Sequence, residues 1–230
     1  MMIILVSAWG IILFSDEPTF SRLCQEDGLF EWLTSIFFLI SSFFFFAAII
    51  KRARQYDSLH EKITKSIFFL LLAAMAFFAF GEEINWGQRI LGLELPTLFG
   101  QTRTSEISVH NLDFFKDNVD KRGIYKFLTL NGAGVLFYFI WFVFVPIFDR
   151  ISRRVSARLK KINLPVVPLW FSLLFLINFV LLKTIQFYFF NPPPNKNFEE
   201  IREYIYSVFF LAASVCIFLV QNKKPILAET

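Results

Sequence analysis

The chain has 230 residues, a net charge of +4 and 56% hydrophobic residues. Apolar runs of the number and length found here exclude an ordinary soluble domain, and no polar stretch is long enough to form a second core. One integral membrane domain over residues 1–230 is therefore expected. Nucleic acid is not an expected partner, because no aromatic readers accompany the basic residues.

Six apolar runs follow one another along the chain. A helix needs about 20 apolar residues to cross a bilayer, and the first run is short by that measure. The predicted spans are residues 2–15, 29–50, 66–81, 127–148, 166–190 and 204–220. Together these runs predict an all-α fold, a polytopic transmembrane helical bundle of about six spans.

Lysine and arginine concentrate in alternate loops. Residues 51–65 carry five of these cations and residues 149–165 carry six, whereas residues 16–28 carry only Arg22. By the positive-inside rule the basic loops are cytoplasmic. We therefore expect both termini in the cytoplasm, residues 82–126 outside, and a multi-pass protein of the bacterial cytoplasmic (inner) membrane.

Both basic loops also contain helix signals. Ser58 and Glu61 form a capping-box pattern, so the third spanning helix is expected to begin before it enters the membrane. Apolar residues in the segment 151–162 recur at helical spacing among basic residues. This second pattern is typical of an amphipathic helix on an anionic membrane surface, and ordinary positive-inside anchoring would also produce it.

Polar residues within the spans crowd towards the predicted outer face. Charged side chains at mid-membrane cost about 2.5–3.5 kcal/mol and are usually there for function. The residues at this level are Glu31, Glu82, Glu83, Asn131, Lys183 and Gln186. We expect them to line one pocket, with Lys183 either paired with a glutamate or extended alone to the membrane surface.

The third span ends in the sequence Gly81-Glu82-Glu83-Ile84-Asn85-Trp86-Gly87-Gln88-Arg89. If its helix continues, Glu82, Asn85 and Arg89 share one face, and Glu83 points about 100° away. We then expect Glu82 to pair with Arg89 and Glu83 to meet another helix. Trp86 suits the interfacial aromatic belt.

A histidine follows in the predicted outer segment. His110 comes four residues after Glu106, so on a helix the two side chains share a face. With Glu83 they form a candidate site for a divalent metal, or a general acid–base pair. A hydrogen-bonding interfacial histidine is the simpler alternative.

The motif Gly81-Glu82-Glu83-x-x-Trp86-Gly87-Gln88-Arg89, followed by His110-Asn111, resembles that of an uncharacterised group of bacterial polytopic membrane proteins. A looser similarity is to the CAAX-type intramembrane proteases, which use Glu-Glu-x-x-x-Arg with further histidines. Here Arg89 follows Glu83 by six residues rather than four, and the chain lacks the further histidines. The protease activity is therefore not expected.

The residues leave two alternative functions open. In the first, an enzyme acts at the outer face on a lipid or lipid-linked substrate, with Glu83, His110 and Glu31 as catalytic groups. The residues expected to support substrate or structure are Glu82, Asn85, Trp86, Arg89, Asn111, Asn131, Lys183 and Gln186. In the second, the chain is a non-catalytic accessory or binding subunit of a larger membrane complex. An ion pathway is disfavoured, because the polar residues do not continue to the cytoplasmic side.

Overall fold

A computed structural model describes residues 1–25, 28–87, 130–189 and 196–220. The regular structure in these ranges is helical and contains no strand, which confirms the predicted all-α fold. The helices are α1 (Met2–Phe14), α2 (Glu17–Leu23), α3 (Leu29–Ala53), α4 (Leu59–Glu83), α5 (Leu130–Phe139), a π-helical segment (Ile140–Phe144), α6 (Val145–Ile151), α7 (Arg153–Ile162), α8 (Leu169–Phe189) and α9 (Lys196–Val220).

Five helical stretches in the described residues are long and apolar enough to cross a membrane. They lie in α3, α4, the stretch Gly132–Ile151 formed by α5 to α6, α8 and α9. The first predicted span is a shorter apolar helix, α1. The chain is thus a multi-pass membrane protein, as its apolar runs predict.

The last helix begins earlier than its apolar run suggests. The predicted span starts at residue 204, but α9 starts at Lys196. Phe198, Ile201 and Ile205 are all buried and follow helical spacing, so an apolar stripe extends through a segment that is charged on its other faces. The charged residues of this segment lower its hydropathy, so the apolar run alone does not predict a helix there.

Helices α3 and α9 run parallel. The ring of Phe30 lies 4.9 Å from that of Tyr204, and the ring of Phe38 lies 5.8 Å from that of Phe210. Because α4 returns antiparallel to α3, the start of α3, the end of α4 and the start of α9 lie at one end of the bundle. We call it the acidic end, and the opposite end, where α3 ends and α4 begins, the basic end.

An aromatic core joins the stretch from α5 to α6 with α8 and α9. Phe142 is completely buried, and its ring lies 5.0 Å from that of Phe171 and 5.4 Å from that of Phe175. Phe209 of α9 packs edge-on to the same two α8 rings. The abundant phenylalanines therefore fill the space between helices through tilted and edge-to-face contacts.

The π-helical segment has a local cause. Pro146 lacks a backbone N–H, so the carbonyl of Phe142 cannot receive its usual α-helical hydrogen bond. Widening the preceding turn to i→i+5 bonding accommodates this loss. Within the segment, the buried Trp141 Nε1 donates to the carbonyl of Pro165 at 2.9 Å and ties the segment before α8 to the core.

The predicted start of the third spanning helix is confirmed. Ser58 is the N-cap of α4, and its Oγ accepts a hydrogen bond from the backbone N–H of Glu61 at 3.2 Å. This bond satisfies one of the four N–H groups that a helix start leaves without a partner.

A polar bond joins the short α1 to α8, and its removal should destabilise the bundle. Trp9 Nε1 donates to Asn178 Oδ1 at 2.9 Å, and Asn178 is buried. We expect Trp9→Phe to lower the free energy of unfolding by about 1 kcal/mol, since an apolar environment offers the amide oxygen no other donor. Thermal melts in detergent would measure it. Trp170→Phe is the control, because Trp170 is exposed, and equal losses in the two variants would contradict a role for the bond.

Candidate carboxylate site

Three glutamates from two helices converge at the acidic end. Glu83 is the last residue of α4, and Glu200 and Glu203 lie in the first turns of α9. One carboxylate oxygen from each lies within 4.8 Å of the others, and all three side chains are half-buried. The three-residue spacing of Glu200 and Glu203 puts both on one face of α9, opposite Glu83. We call these three residues the carboxylate cluster.

Two more carboxylates surround this cluster. Glu31 in the first turn of α3 and Glu82 beside Glu83 both lie close enough to Glu83 to repel it electrostatically. Glu31 is half-buried and Glu82 is buried. The structure thus brings together the three predicted glutamates, Glu31, Glu82 and Glu83, and adds two from α9.

Glu200 and Glu203 were missed by the sequence analysis. They lie in a segment rich in charge, before the span predicted to start at residue 204. The signal that could have found them is the apolar stripe of Phe198 and Ile201, which makes this segment the first turns of a buried helix.

Arg202 supplies positive charge next to the cluster. Its Nη2 lies 3.4 Å from Glu203 Oε1, and its side chain is half-buried. Lys183 of α8 is near enough to Arg202 for the two cations to repel each other. The positive charge in contact with the cluster is therefore that of Arg202, which lies on α9 itself.

Lys183 does not form the predicted ion pair with Glu31, Glu82 or Glu83 in the described part of the chain. Its Nζ instead donates to Gln186 Oε1 at 2.9 Å, and the side chain is exposed. The physical reason is local, because a residue three positions on along the same helix is always within reach. Lys183 and Gln186 thus contact each other, and the pocket predicted to include them stays a prediction.

Helix α4 ends at Glu83. Asn85 and Trp86 adopt the left-handed region, with φ of 47° and 52°, so α4 cannot continue. The condition for the shared face, a helix that continues past Glu83, is therefore not met, and Glu82 and Asn85 do not share a helical face. Asparagine tolerates this conformation because its short polar side chain bonds locally, whereas tryptophan adopts it only under constraint.

The constraint on Trp86 is its packing against the last turn of α4. Its Nε1 donates to Glu82 Oε1 at 2.6 Å, and its ring lies so close to Gly81 that a Cβ there would meet ring atoms at 2.8–2.9 Å. Glu82 therefore has Trp86 as a partner. Asn85 is buried, and Trp86 is 40% exposed, as an interfacial aromatic residue would be.

Cys24 is buried at the same end. Burial, and secondly the charge of Glu200, raise the pKa of the Cys24 thiol to about 12. At neutral pH the thiol keeps its proton, so it adds no negative charge and is a poor nucleophile.

Several predicted site residues lie outside the described residues. They are Arg89, Glu106, His110 and Asn111, together with the side chain of Asn131. The metal site predicted from Glu83, Glu106 and His110 therefore stays a prediction, as does the pairing of Glu82 with Arg89.

An all-α bundle of membrane-length helices, with half-buried carboxylates at one end, defines a multi-pass integral membrane protein. Comparison of the chain with protein-family models, curated proteins and solved structures finds no match. The chemistry of the cluster is therefore inferred from its own side chains.

Proposed function

We propose that the protein is a membrane enzyme that holds a divalent cation at the carboxylate cluster and acts on a lipid or lipid-linked substrate. The observation that carries this proposal is the approach of Glu83, Glu200 and Glu203 to within 4.8 Å of one another. The alternating basic loops favour the outer face of a bacterial cytoplasmic membrane as the location.

Electrostatics favours a bound cation. Two carboxylates about 4 Å apart repel by about 4 kcal/mol at the effective dielectric near a protein surface. The ion pair of Arg202 with Glu203, at 3.4 Å, offsets part of this repulsion. A divalent ion between the three would turn this repulsion into attraction.

The spacing of the oxygens fits a divalent ion. Oxygens on opposite sides of one ion are separated by about 4.2 Å for Mg²⁺ and about 5 Å for Ca²⁺. The carboxylate oxygens all lie within 4.8 Å of one another, a separation that Ca²⁺ can span and that Mg²⁺ could span only if the oxygens moved closer. Carboxylate donors favour Mg²⁺, Ca²⁺ or Mn²⁺ over metals that prefer sulfur.

A cation at this position suits a lipid-linked substrate. The cluster lies at the ends of membrane-length helices, where a headgroup meets water and its chains meet apolar helix faces. A metal held by carboxylates can bind an anionic headgroup or polarise the bond to be broken. Glu31 would act beside it, and His110 is the proposed general acid or base from the outer segment.

The accessory-subunit alternative is less well supported. A cluster that only locks helices together would be expected to be closed and balanced in charge. Here Glu83, Glu200 and Glu203 are half-buried rather than fully enclosed.

Metal binding to the purified protein tests the proposal. After treatment with a chelator, Mg²⁺, Mn²⁺ or Ca²⁺ is expected to raise the melting temperature, with a gain of about 2.7 kcal/mol at 100 times Kd. Glu203→Gln should remove most of this gain. Glu17→Gln, at an exposed glutamate of α2, is the control and should keep it.

The catalytic half of the proposal needs a second measurement. Purified protein is incubated with bacterial lipid extract, and mass spectrometry follows the loss of lipid species. Turnover is expected to depend on the metal and to stop in Glu203→Gln but not in Glu17→Gln. A melting temperature that no divalent ion changes would contradict the cation site, and metal binding without turnover would contradict the enzyme.

A further inference from the structure

Helix α7 carries an unusual concentration of positive charge. Its ten residues, Arg153–Ile162, include five cations and no acid, and none of its residues is buried. The cations are Arg153, Arg154, Arg158, Lys160 and Lys161.

Contacts at its ends fix α7 at the basic end. Ser152 caps its start by accepting from the N–H of Val155 at 3.4 Å. Asn163 ends it in the left-handed conformation, and its Nδ2 donates to the carbonyl of Lys65 at 2.8 Å. Lys65 Nζ in return donates to the carbonyl of Lys161 at 2.9 Å. These reciprocal bonds hold α7 against the second turn of α4.

The five cations of α7 have no ion-pair partner within the described residues. Even the Lys161 contact with α4 uses its backbone carbonyl and leaves the ammonium unpaired. A helix that is held in place and carries unpaired charges of one sign is complementary to an anionic surface.

The charges are ordered around the helix. Arg154, Arg158 and Lys161 are spaced i, i+4 and i+7, so they form one row. Each precedes by one position a member of a second row, the apolar residues Val155, Leu159 and Ile162. The two rows therefore lie about 100° apart. An apolar stripe flanked by cations is the arrangement of helices that lie in a membrane interface.

We propose that the row of Arg154, Arg158 and Lys161 binds the phosphate groups of anionic lipids in the leaflet at the basic end. Arginine suits this role because its planar guanidinium holds phosphate through two parallel hydrogen bonds. The inference does not depend on the carboxylate site, which lies at the other end of the bundle. If the positive-inside orientation holds, this leaflet is the cytoplasmic one.

Titration of the full-length protein with lipids tests the proposal. The protein in a neutral detergent is titrated with short-chain phosphatidylglycerol or phosphatidylcholine, and native mass spectrometry and melting temperature follow binding. Each basic residue near an anionic surface contributes roughly fivefold to affinity. Arg154→Gln with Arg158→Gln should therefore weaken phosphatidylglycerol binding roughly 25-fold and leave phosphatidylcholine binding unchanged.

A matched variant removes the same charge from the other side of the helix. Arg153→Gln with Lys160→Gln should weaken phosphatidylglycerol binding by less than about fivefold, since these residues lie away from the apolar stripe. Arg154→Lys with Arg158→Lys keeps the charge but loses the paired hydrogen bonds, so it should bind phosphatidylglycerol more tightly than the glutamine variant and less tightly than the parent protein. It also controls for a folding defect in the glutamine variant. Equal losses in the two glutamine variants, or competition by millimolar inorganic phosphate, would overturn the proposal.

Discussion

Replacement of Glu83 by glutamine is expected to raise the melting temperature of the metal-free protein while abolishing its stabilisation by divalent cations. The Glu83 carboxylate lies within 4.8 Å of those of Glu200 and Glu203, so a neutral amide removes repulsion. Substitutions that remove repulsion at a functional site commonly raise the free energy of unfolding by about 0.5–2 kcal/mol. Thermal melts of the detergent-solubilised variant, with chelator and with metal, would measure both effects.

The neighbouring glutamate should behave in the opposite way. Glu82 accepts a hydrogen bond from Trp86 and is buried. Glu82→Gln should weaken this charge-assisted bond and cost about 1–2 kcal/mol, while stabilisation by the metal remains. If Glu83→Gln melts far below the parent protein and Glu82→Gln does not, the roles of the two carboxylates are reversed.

A methyl group at Gly81 is expected to disrupt the turn that ends α4. It would lie 2.8–2.9 Å from ring atoms of Trp86, so the indole must move and lose its bond to Glu82. Overpacking of this kind costs about 1–3 kcal/mol, partly offset by about 1 kcal/mol from the better helix propensity of alanine. We expect Gly81→Ala to melt at a lower temperature and its tryptophan fluorescence to shift.

A double-mutant cycle separates the steric contact with Trp86 from the effect of alanine on the helix backbone. With Trp86→Ala in place, the space beside Gly81 is open, and Gly81→Ala should become neutral or stabilising. The reversal of sign is the result that identifies the indole as the cause. A loss of the same size in both backgrounds would show that the glycine is needed for another reason.

The sequence alone predicts the helices well, because helix formation in a membrane depends on local features. Runs of apolar residues mark the long helices, and Ser58 and Glu61 mark the start of α4. The repeated apolar residues of segment 151–162 likewise predict α7. Each signal lies within one or two turns of the residues it describes.

The candidate site was predicted only in part, because depth in the membrane does not say which helices are neighbours. The depth of Glu31, Glu82 and Glu83 in the membrane follows from their positions at the termini of two predicted spans. Lys183, placed at the same level, contacts Gln186 of its own helix instead of a carboxylate. Similar depth therefore identified which residues are able to meet, and the packing of the helices selected among them.

What the sequence by itself determined is the membrane class of the protein, the approximate ends of its long helices and the acidic character of one end. Only the tertiary structure decided that α9 packs against α3 and brings Glu200 and Glu203 to Glu83. It also decided that Trp86 folds back on Gly81. The physical reason is that apolar periodicity is a property of each helix by itself. The packing of one helix on another and the left-handed turn depend instead on contacts between segments distant in sequence, or on space that only the folded chain defines.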